Sequence, residues 1–399
     1  MSKWPALTYQ RQVWVSKVAE SGPAAGLNSR LNGRYESAVP PHIASIDVEI
    51  SSDTMQLAES ATEVLVRFDE ELGSEIALFA SLLLRSEAVA SSRIENLTAS
   101  ARSILSAELG VTGKANATLI AANTSAMQSA LDLADALTPE TVLEMHRTLM
   151  ATESNHTPGR WRSEPVWIGT SGLSPLGATF VAPDSDLVPE LMDDVMEFAR
   201  RSDIPRLAQA AIAHAQFETI HPFSDGNGRT GRALIQAMLR GKGLTQNVTI
   251  PVSAGLLADT GAYHASLTSY RGGDLEPLVR LVAEASILAV ENARHLVHDV
   301  HEVQQGWRSA IKARSDSAVW RVLDLIARQP VITAETVARH LGIAQTNAYV
   351  HLKTLTDAGV LQAKSEYKHG RLWRNDAILA TLDEFAERAG RRGYVNPPR

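Results

Sequence analysis

The sequence of 399 residues contains no cysteine. Disulfide bridges, thiolate nucleophiles and cysteine-based zinc sites are therefore excluded. No apolar run approaches the roughly 20 residues that a membrane-spanning helix needs. The opening residues, MSKWP, lack the apolar h-region of a secretory signal peptide. These absences lead us to expect a cytoplasmic protein.

Two common phosphate-binding signatures are also absent. The sequence has neither the Gly-x-x-x-x-Gly-Lys-Ser/Thr loop nor a Gly-x-Gly-x-x-Gly run after a strand. The composition, 44% hydrophobic and 21% charged, is that of an ordinary globular protein. A chain of this length has room for about two or three domains.

Charge is unevenly distributed along the chain. The formal net charge is −7, but the residues from Ser315 onward contain 12 basic and nine acidic side chains, against 26 and 36 in the rest. A mildly basic C-terminal part on an acidic body is a weak indication of a nucleic-acid contact.

Chemically active residues concentrate in the stretch His221–Arg232. Pro222 should end the Ala-rich helix predicted over residues 204–220, since proline lacks an N–H and restricts the residue before it. Gly226 and Gly228 allow a tight turn before a second helix, predicted from Ala233. A turn that leads into a helix N-terminus attracts anions through free N–H groups and the helix dipole. The stretch therefore predicts a phosphate site.

Each side chain of this stretch has a functional and a structural interpretation. His221, with an ordinary pKa near ~6.5, suits a general base, although a lone histidine at a helix end is more often a core residue. Asp225 suits a Mg²⁺ ligand beside phosphates, or a simple turn. Arg229 and Arg232, on one helical face, suit phosphate contacts or a solvated surface.

The stretch resembles the Fic-family pattern His-Pro-Phe-x-Asp/Glu-Gly-Asn-Gly/Lys-Arg-x-x-Arg and matches it at every specified position. The likeness extends over roughly Pro40 to Leu296. It implies a mainly α fold, the helical Fic fold with a short β-hairpin flap. The reaction it implies is transfer of AMP from ATP to a Ser, Thr or Tyr hydroxyl of a protein, with self-modification expected.

The resemblance also implies a role for each matched residue. His221 would be the catalytic base, Phe223 a packing residue, and Asp225 the Mg²⁺ ligand. The target protein would be held by the flap residues Trp167, Ile168, Gly169 and Thr170, which lie in a predicted hairpin. The nucleotide would be bound by Gly226, Asn227, Gly228, Arg229, Thr230, Gly231, Arg232 and, through a looser match, Tyr263.

A second stretch, Ser91–Asn96, resembles the family's inhibitory pattern Ser/Thr-x-x-x-Glu-Gly/Asn. Its matched residues are Ser91, Glu95 and Asn96, and its structural interpretation is an ordinary polar helix end. The resemblance implies that Glu95 pairs with Arg232 and occupies the group that should bind the γ-phosphate of ATP. The resemblance also allows the same glutamate to support the reverse reaction, removal of AMP from a modified protein.

The C-terminal part has the element order of a winged helix-turn-helix domain. Helices are predicted over 317–328, 333–343 and 344–358, followed by strands at 360–363 and 371–373. DNA is one candidate partner, and a protein contact or homodimerisation is the alternative. The DNA-facing candidates are Gln345, Thr346, Asn347, Tyr349 and Lys353 on the second helix of the motif, and Lys364, Lys368, His369 and Arg371 in the wing.

These patterns predict four regions. They are an N-terminal arm (1–40), a helical region (41–130) with the inhibitory helix at about 80–96, a catalytic core (131–300) and the winged helix domain (315–390). The leading hypothesis is a self-inhibited protein adenylyltransferase using ATP and Mg²⁺. Alternatives are a DNA-binding regulator whose Fic body senses nucleotide, a deAMPylase, and a Doc-type transferase of another phosphate group. Gly228 is typical of the adenylylating majority, whereas the Doc type has lysine there.

Overall fold

The computed structural model describes residues 4–16, 31–111, 114–153, 156–169, 172–366 and 370–390. The chain is mainly helical, as the sequence predicts. Among the described residues, no helix combines the length and apolar character needed to cross a bilayer. The helices are α1 (Ser52–Glu71), α2 (Ile76–Ile94), α3 (Ala101–Glu108), α4 (Ala115–Asp132), α5 (Pro139–Leu149), α6 (Val188–Arg200), α7 (Arg206–Ile220), α8 (Asn227–Gly241), α9 (Val252–Leu257), α10 (Thr260–Arg271), α11 (Glu276–Ala310), α12 (Ala318–Arg328), α13 (Ala334–Leu341), α14 (Gln345–Asp357) and α15 (Asp376–Ala389).

Three small antiparallel sheets accompany the helices in the described part of the chain. The first two are hairpins, β1 with β2 and β3 with β4, and the third has the strand order β5-β7-β6. The strands are β1 (Thr8–Trp14), β2 (Gly33–Val39), β3 (Trp167–Ile168), β4 (Phe180–Val181), β5 (Val331–Thr333), β6 (Gln362–Glu366) and β7 (Gly370–Arg374).

Two compact units divide the described residues. The first takes its residues from Met1–Thr62, Ser129–Lys242 and Gly261–Ala283, and the second from Glu63–Gln128, Gly243–Thr260 and Glu284–Arg399. Residues of the predicted inhibitory helix and of the C-terminal region therefore belong to the same unit. The four predicted regions themselves stay a prediction.

Helix α7 is the centre of the first unit. Every residue from Leu207 to Ile220 is buried, because alanines on several faces let neighbouring helices approach closely. It packs against α6 and α8. A side chain at Gly231 would place its Cβ 2.9 Å from the Phe217 ring and from the Glu218 carboxylate, so only glycine fits there.

The N-terminal arm has more structure than the sequence analysis predicted. Strands β1 and β2 pair from Thr8↔Val39 to Trp14↔Gly33. The hairpin was missed because its strands are rich in polar and charged residues and alternate only weakly. In the same unit, the N–H of Leu7 donates to the carbonyl of Arg271 at 2.9 Å, which ties the arm to the end of α10.

Helix α2 is the centre of the second unit. Its buried Glu87 accepts hydrogen bonds from the N–H (2.9 Å) and hydroxyl (2.6 Å) of Ser253 at the start of α9. Helices α12 and α15 pack on other parts of α2. The hydroxyl of Ser81 donates to the carbonyl of Arg328 at 2.8 Å, at the end of α12.

The C-terminal elements follow the order α12, β5, α13, α14, β6, β7, α15. Helix α13 ends at Gly342, whose left-handed conformation (φ 69°) turns the chain towards α14. The sequence analysis predicted the three helices and the last two strands but missed β5 and α15. Strand β5 is only three residues long, too short for a period-2 pattern.

Candidate active site

His221 lies where α7 ends. Its backbone is left-handed (φ 51°, ψ 61°), one of two non-glycine residues with positive φ in the described chain. Such a conformation costs of the order of 1 kcal/mol and persists only where surrounding contacts hold it. Its N–H donates to the carbonyl of Phe217 at 2.8 Å. Pro222 then prevents the helix from continuing.

Arg162 holds the same turn from outside the helix. Its Nε donates to the carbonyl of His221 at 2.8 Å and its Nη2 to that of Ile220 at 3.3 Å. Its backbone N–H donates to the carbonyl of Pro222 at 2.9 Å. A cation suits these carbonyls because the C-terminal end of a helix carries partial negative charge. Burial lowers the pKa of Arg162 to about 10, so it stays charged at neutral pH.

The His221 ring is partly accessible, with 18% of its side chain exposed. Its Nδ1 lies 3.9 Å from Oε2 of the buried Glu218, one turn earlier on α7. The carboxylate is too far away for a direct hydrogen bond but close enough to favour a positive charge on the ring. The ring can therefore accept a proton with electrostatic support.

The turn after His221 is braced by its own side chains. The amide of Asn227 makes two bonds of 2.8 Å with Phe223, accepting from its N–H and donating to its carbonyl. Gly226 adopts φ 76°, and α8 begins at the next residue. The helix thus starts six residues before the predicted Ala233, and the arginines at 229 and 232 lie on it.

His146 of α5 contacts the turn through its ring. Its ring stacks on Phe223 with centroids 3.6 Å apart and an interplanar angle of 4°. Its Nδ1 accepts from the N–H of Gly159 at 3.0 Å, so the ring proton is on Nε2, which donates to the carbonyl of Asp225 at 3.1 Å. Burial lowers the pKa of His146 to about 4, which keeps the ring neutral.

The Asp225 side chain is half exposed, with 50% of its surface accessible. Its Oδ2 lies 3.7 Å from Nε2 of His156 and 3.8 Å from Nη2 of Arg229. The described residues contain no cluster of three His, Asp or Glu side chains that could hold a metal. Mg²⁺ keeps several waters and often binds through one carboxylate plus substrate phosphates, so a single accessible aspartate fits it.

Both arginines of the motif are buried, Arg229 with 5% and Arg232 with 1% of its surface exposed. The interpretation of solvated surface arginines is therefore wrong. Thr230 and Gly231 are buried between them, with Gly231 against α7. A buried guanidinium retains its charge and suits a bidentate anion contact.

Tyr263, the loosest of the predicted nucleotide contacts, is 2% exposed. Its hydroxyl lies 2.8 Å from Nε2 of His214 on α7. Burial and the positive charge of Arg232 lower the pKa of His214 to about 3, so its ring is neutral at pH 7. The geometry gives Tyr263 a packing position against α7.

The predicted flap is a hairpin of two short strands. Trp167 pairs with Val181 and Ile168 with Phe180. Trp167 makes an edge-to-face contact with Trp14 of β1, at 5.3 Å between centroids. Ile168 is 45% exposed and Gly169 is also exposed. Thr170, the fourth predicted flap residue, lies outside the described residues.

The predicted inhibitory residues lie at the end of α2 in the second unit. Ser91 is buried, and α2 ends at Ile94. Glu95 is exposed and Asn96 adopts a left-handed conformation (φ 61°), the helix stop that the sequence predicts. The hydroxyl of Ser92 accepts from Asn123 at 3.1 Å, which anchors this last turn within the unit.

Four residues that support the site were not singled out by the sequence analysis. For three of them the contacts run to backbone atoms or to side chains far away in sequence, so no local pattern marks them. Glu218 lies only one turn before His221 but looks like any other polar residue of the helix. Only the Gly-Arg-Trp-Arg run that starts at Gly159 was a visible signal. The four residues are His146, His156, Arg162 and Glu218.

Comparison with known proteins identifies the region that contains this site. The sequence model of the Fic/DOC family matches residues 136–239. The chain is 31% identical over 160 residues to protein adenylyltransferase fic-1 of Caenorhabditis elegans, covering 39% of this chain and 28% of that protein. It is 26% identical over 155 residues to protein adenylyltransferase Fic of Nematostella vectensis, covering 38% and 33%. The match thus spans about a third or less of these relatives' length.

A solved structure shows the same fold. It is the crystal structure of a Fic family protein from Desulfovibrio desulfuricans G20, with 22% sequence identity and a TM-score of 0.53. The likeness covers 82% of this chain and 97% of that one. The helical Fic fold expected from the sequence is therefore confirmed.

Proposed function

We propose that this chain, whose residues 136–239 form a Fic domain, is a protein adenylyltransferase that moves AMP from ATP to a protein hydroxyl, including its own. One observation carries the proposal. A partly accessible His221 is held at the end of α7, and the N-terminus of α8 with two buried arginines follows within the same turn. This combination brings a base and an anion site together.

His221 acts as the general base in this reaction. The ring takes the proton of the target hydroxyl as its oxygen attacks the α-phosphorus of ATP. The bond from that phosphorus to the bridging oxygen breaks, and pyrophosphate leaves with the electron pair. The products are the AMP ester of the target and pyrophosphate. The carboxylate of Glu218, 3.9 Å from Nδ1, favours the protonated ring that forms.

The turn and the first turns of α8 bind the phosphates. The N-terminal N–H groups of this helix and the guanidinium groups of Arg229 and Arg232 stabilise negative charge in transfer. Asn227 contributes through its backbone, since both ends of its side-chain amide bond Phe223. Asp225 would hold Mg²⁺, which would supply positive charge against the phosphate oxygens of ATP. Contacts of Thr230, Gly231 and Tyr263 with the nucleotide stay predictions.

The hairpin β3–β4 holds the target. A short strand with exposed residues at its end suits the addition of an extended peptide. That mode reads main-chain groups more than side chains, so a wide choice of targets with Ser, Thr or Tyr is compatible with it. The contribution of Trp167, Ile168, Gly169 and Thr170 is part of the proposal.

Inhibition by Glu95 is a further part of the proposal. The sequence pattern Ser91–Asn96 carries it, and the position of Glu95 at the exposed end of α2 is compatible with a charged contact. A carboxylate that pairs with Arg232 would leave ATP without its γ-phosphate ligand and turn its α-phosphate away from in-line attack.

To test this function, the Glu95→Gly protein is incubated with magnesium and with ATP labelled on either the α- or the γ-phosphate. The label that becomes attached to protein is then measured. We expect label from the α-phosphate of ATP in protein and none from the γ-phosphate. Label from the γ-phosphate would instead indicate a kinase-like transfer of the Doc type. Loss of label from a modified protein, faster with Glu95 than with glycine, would indicate deAMPylation. Tight nucleotide binding with neither label would favour a regulator whose Fic body senses nucleotide.

A second proposed function concerns the C-terminal part. The order α12, β5, α13, α14, β6, β7, α15 and the sheet β5-β7-β6 support a winged helix-turn-helix domain. The exposed residues of α14 suit contacts with DNA, although Lys353 already pairs with Asp357 at 2.5 Å. Lys368 and His369 lie outside the described residues. The exposed residues are Gln345, Thr346, Asn347, Tyr349 and Lys353.

DNA binding is tested by its salt dependence. We expect a Kd for duplex DNA that weakens steeply between 50 and 200 mM salt, on the order of tenfold or more, because phosphate contacts release counterions. Absence of binding at low salt would favour the alternative of a protein contact or a homodimer. The cytoplasmic location expected from the composition likewise stays a prediction.

A further inference from the structure

Arg162 connects the turn of His221 with both ends of the flap. Besides Ile220 and His221, its guanidinium donates to the carbonyl of Pro183 after β4 at 2.6 Å and to that of Glu164 before β3 at 3.1 Å. Four carbonyls from three segments thus share one cation that is 6% exposed. A planar guanidinium presents its five N–H groups in fixed directions, so it sets the relative positions of these segments.

His146 contacts a different part of the site, the turn that contains Asp225. It donates to the carbonyl of Asp225, in the peptide bond between Asp225 and Gly226. In a trans peptide the carbonyl and the next N–H point in opposite directions. Because the carbonyl points towards α5, the N–H of Gly226 points away from α5. The stacking of the His146 ring on Phe223 fixes the distance between the turn and α5. His146 therefore orients the backbone N–H of Gly226 in the anion-binding turn.

We propose that Arg162 and His146 are positioning residues with separate tasks, Arg162 for the base and the flap, and His146 for the phosphate-binding turn. The inference rests on the proposed function. Arg162 sets the distance between a hydroxyl held on the flap and the His221 ring, which governs turnover. His146 sets the direction of N–H groups that meet the phosphates, which governs nucleotide affinity.

The test separates turnover from affinity in the Glu95→Gly background. Arg162→Lys keeps the charge but replaces the fork by one ammonium group. We expect kcat for AMP transfer to fall roughly 10- to 100-fold, with the Kd for ATP unchanged, because small misplacements of reacting groups have effects of that size. His146→Phe keeps a stacked ring without its hydrogen bonds. We expect a Kd for ATP about tenfold weaker and a smaller change in kcat.

Two control variants distinguish positioning from stability. His146→Gln returns a donor near the position of Nε2 and should recover part of the ATP affinity. Met192→Ala removes a buried side chain of α6 and should lower Tm without moving either parameter selectively. If Arg162→Lys and His146→Phe change the same parameter, or only track Tm as Met192→Ala does, the proposal is wrong.

Two further measurements need no turnover and keep this test separate from that of the adenylyltransferase proposal. Calorimetry reports the Kd for ATP directly. Hydrogen exchange should rise at both 164–168 and 220–223 in Arg162→Lys, and at neither in His146→Phe. If the Glu95→Gly protein transfers no AMP but these two results hold, the proposed function fails and the positioning roles stand. If the calorimetry and hydrogen-exchange results fail while AMP transfer proceeds, the positioning roles fail and the proposed function stands.

Discussion

The turn at His221–Arg232 and the end of α2 are held in different ways. The turn is braced by Arg162 and His146, which lie 59 and 79 positions from their partners and are buried. The end of α2 is held partly by residues nearly 300 positions away, since Arg93 donates to the carbonyl of Ala386 on α15. If the proposed function holds, changes at the turn should stop AMP transfer, whereas changes at the end of α2 should only adjust its rate.

The largest expected effect comes from a change in the turn at His221–Arg232. His221→Ala in the Glu95→Gly background should lower AMP transfer roughly 10²- to 10⁴-fold, the range that a general base contributes. Transfer of α-phosphate label to protein measures it. ATP affinity by calorimetry should stay within a few fold, because the proposed role of the ring is to take a proton from the target hydroxyl and not to bind the phosphates. Transfer above a tenth of the starting rate would contradict a base role for His221.

A second change tests whether the turn depends on close helix packing. Gly231→Ala would place a Cβ 2.9 Å from Phe217 and Glu218, so we expect a loss of about 1–3 kcal/mol in the free energy of unfolding. Denaturant titration measures it. Gly306→Ala is the matched control, since α11 leaves space there and alanine should stabilise the helix by up to ~1 kcal/mol. Equal effects at the two positions would contradict the packing argument.

The sequence identified candidate residues for the site but not the residues that hold them in place. The motif is local, so His221, Asp225, Arg229 and Arg232 could be found from residue types and spacing. Arg162 could not, because its partners are main-chain carbonyls whose positions depend on the fold. The start of α8 was placed too late because glycines and arginines hide a helix pattern that tertiary contacts impose.

Helix patterns were similarly visible only where one face is apolar over several turns. Helix α12, predicted over 317–328, was placed within one residue of its bounds for that reason. The strands of the N-terminal hairpin and β5 were missed, since pairing with a distant strand decides them. The burial of Tyr263 against His214 is likewise a tertiary contact that sequence spacing does not contain.

A third prediction concerns pH. The pKa of His214 is lowered to about 3 by burial, and an unfolded histidine has a pKa near ~6.5, so the unfolded state binds more protons between these values. Stability from this residue is complete above pH ~6.5 and is lost as the pH falls, by about 1–2 kcal/mol at pH ~5.

Thermal unfolding at pH ~6.5 and at pH ~5 checks this expectation. His214→Phe removes the titrating group and should show a smaller decrease in Tm on acidification than the parent protein. A smaller decrease would distinguish the two regions by their acid sensitivity. His214 belongs to α7, the helix that ends at His221, whereas Ser91–Asn96 contains no histidine. An identical decrease in both proteins would assign the acid sensitivity to other groups.

The smallest effect tests the second half of the comparison. The carboxylate of Asp383 on α15 accepts from the N–H of Ala101 at 2.8 Å, shortly after the end of α2. Replacing Arg93 by Ala together with Asp383→Ala should loosen the end of α2, because both changes remove hydrogen bonds with α15. If Glu95 inhibits, self-labelling with α-phosphate label should rise about three- to tenfold, less than in Glu95→Gly, since a loosened contact of ~1 kcal/mol changes an equilibrium by about that factor.

The control for this last change is Arg339→Ala, which removes an exposed arginine paired with Glu335 on α13, away from α2. It should leave self-labelling unchanged, because exposed pairs contribute little. A rise in the double variant and none in the control would make the C-terminal region part of the inhibitory device, so that whatever binds α14 could act on Glu95 through α2. If labelling is unchanged in the double variant but clearly raised in Glu95→Gly, the end of α2 is held without its contacts with α15. The end of α2 and the turn at His221–Arg232 would then be equally rigid.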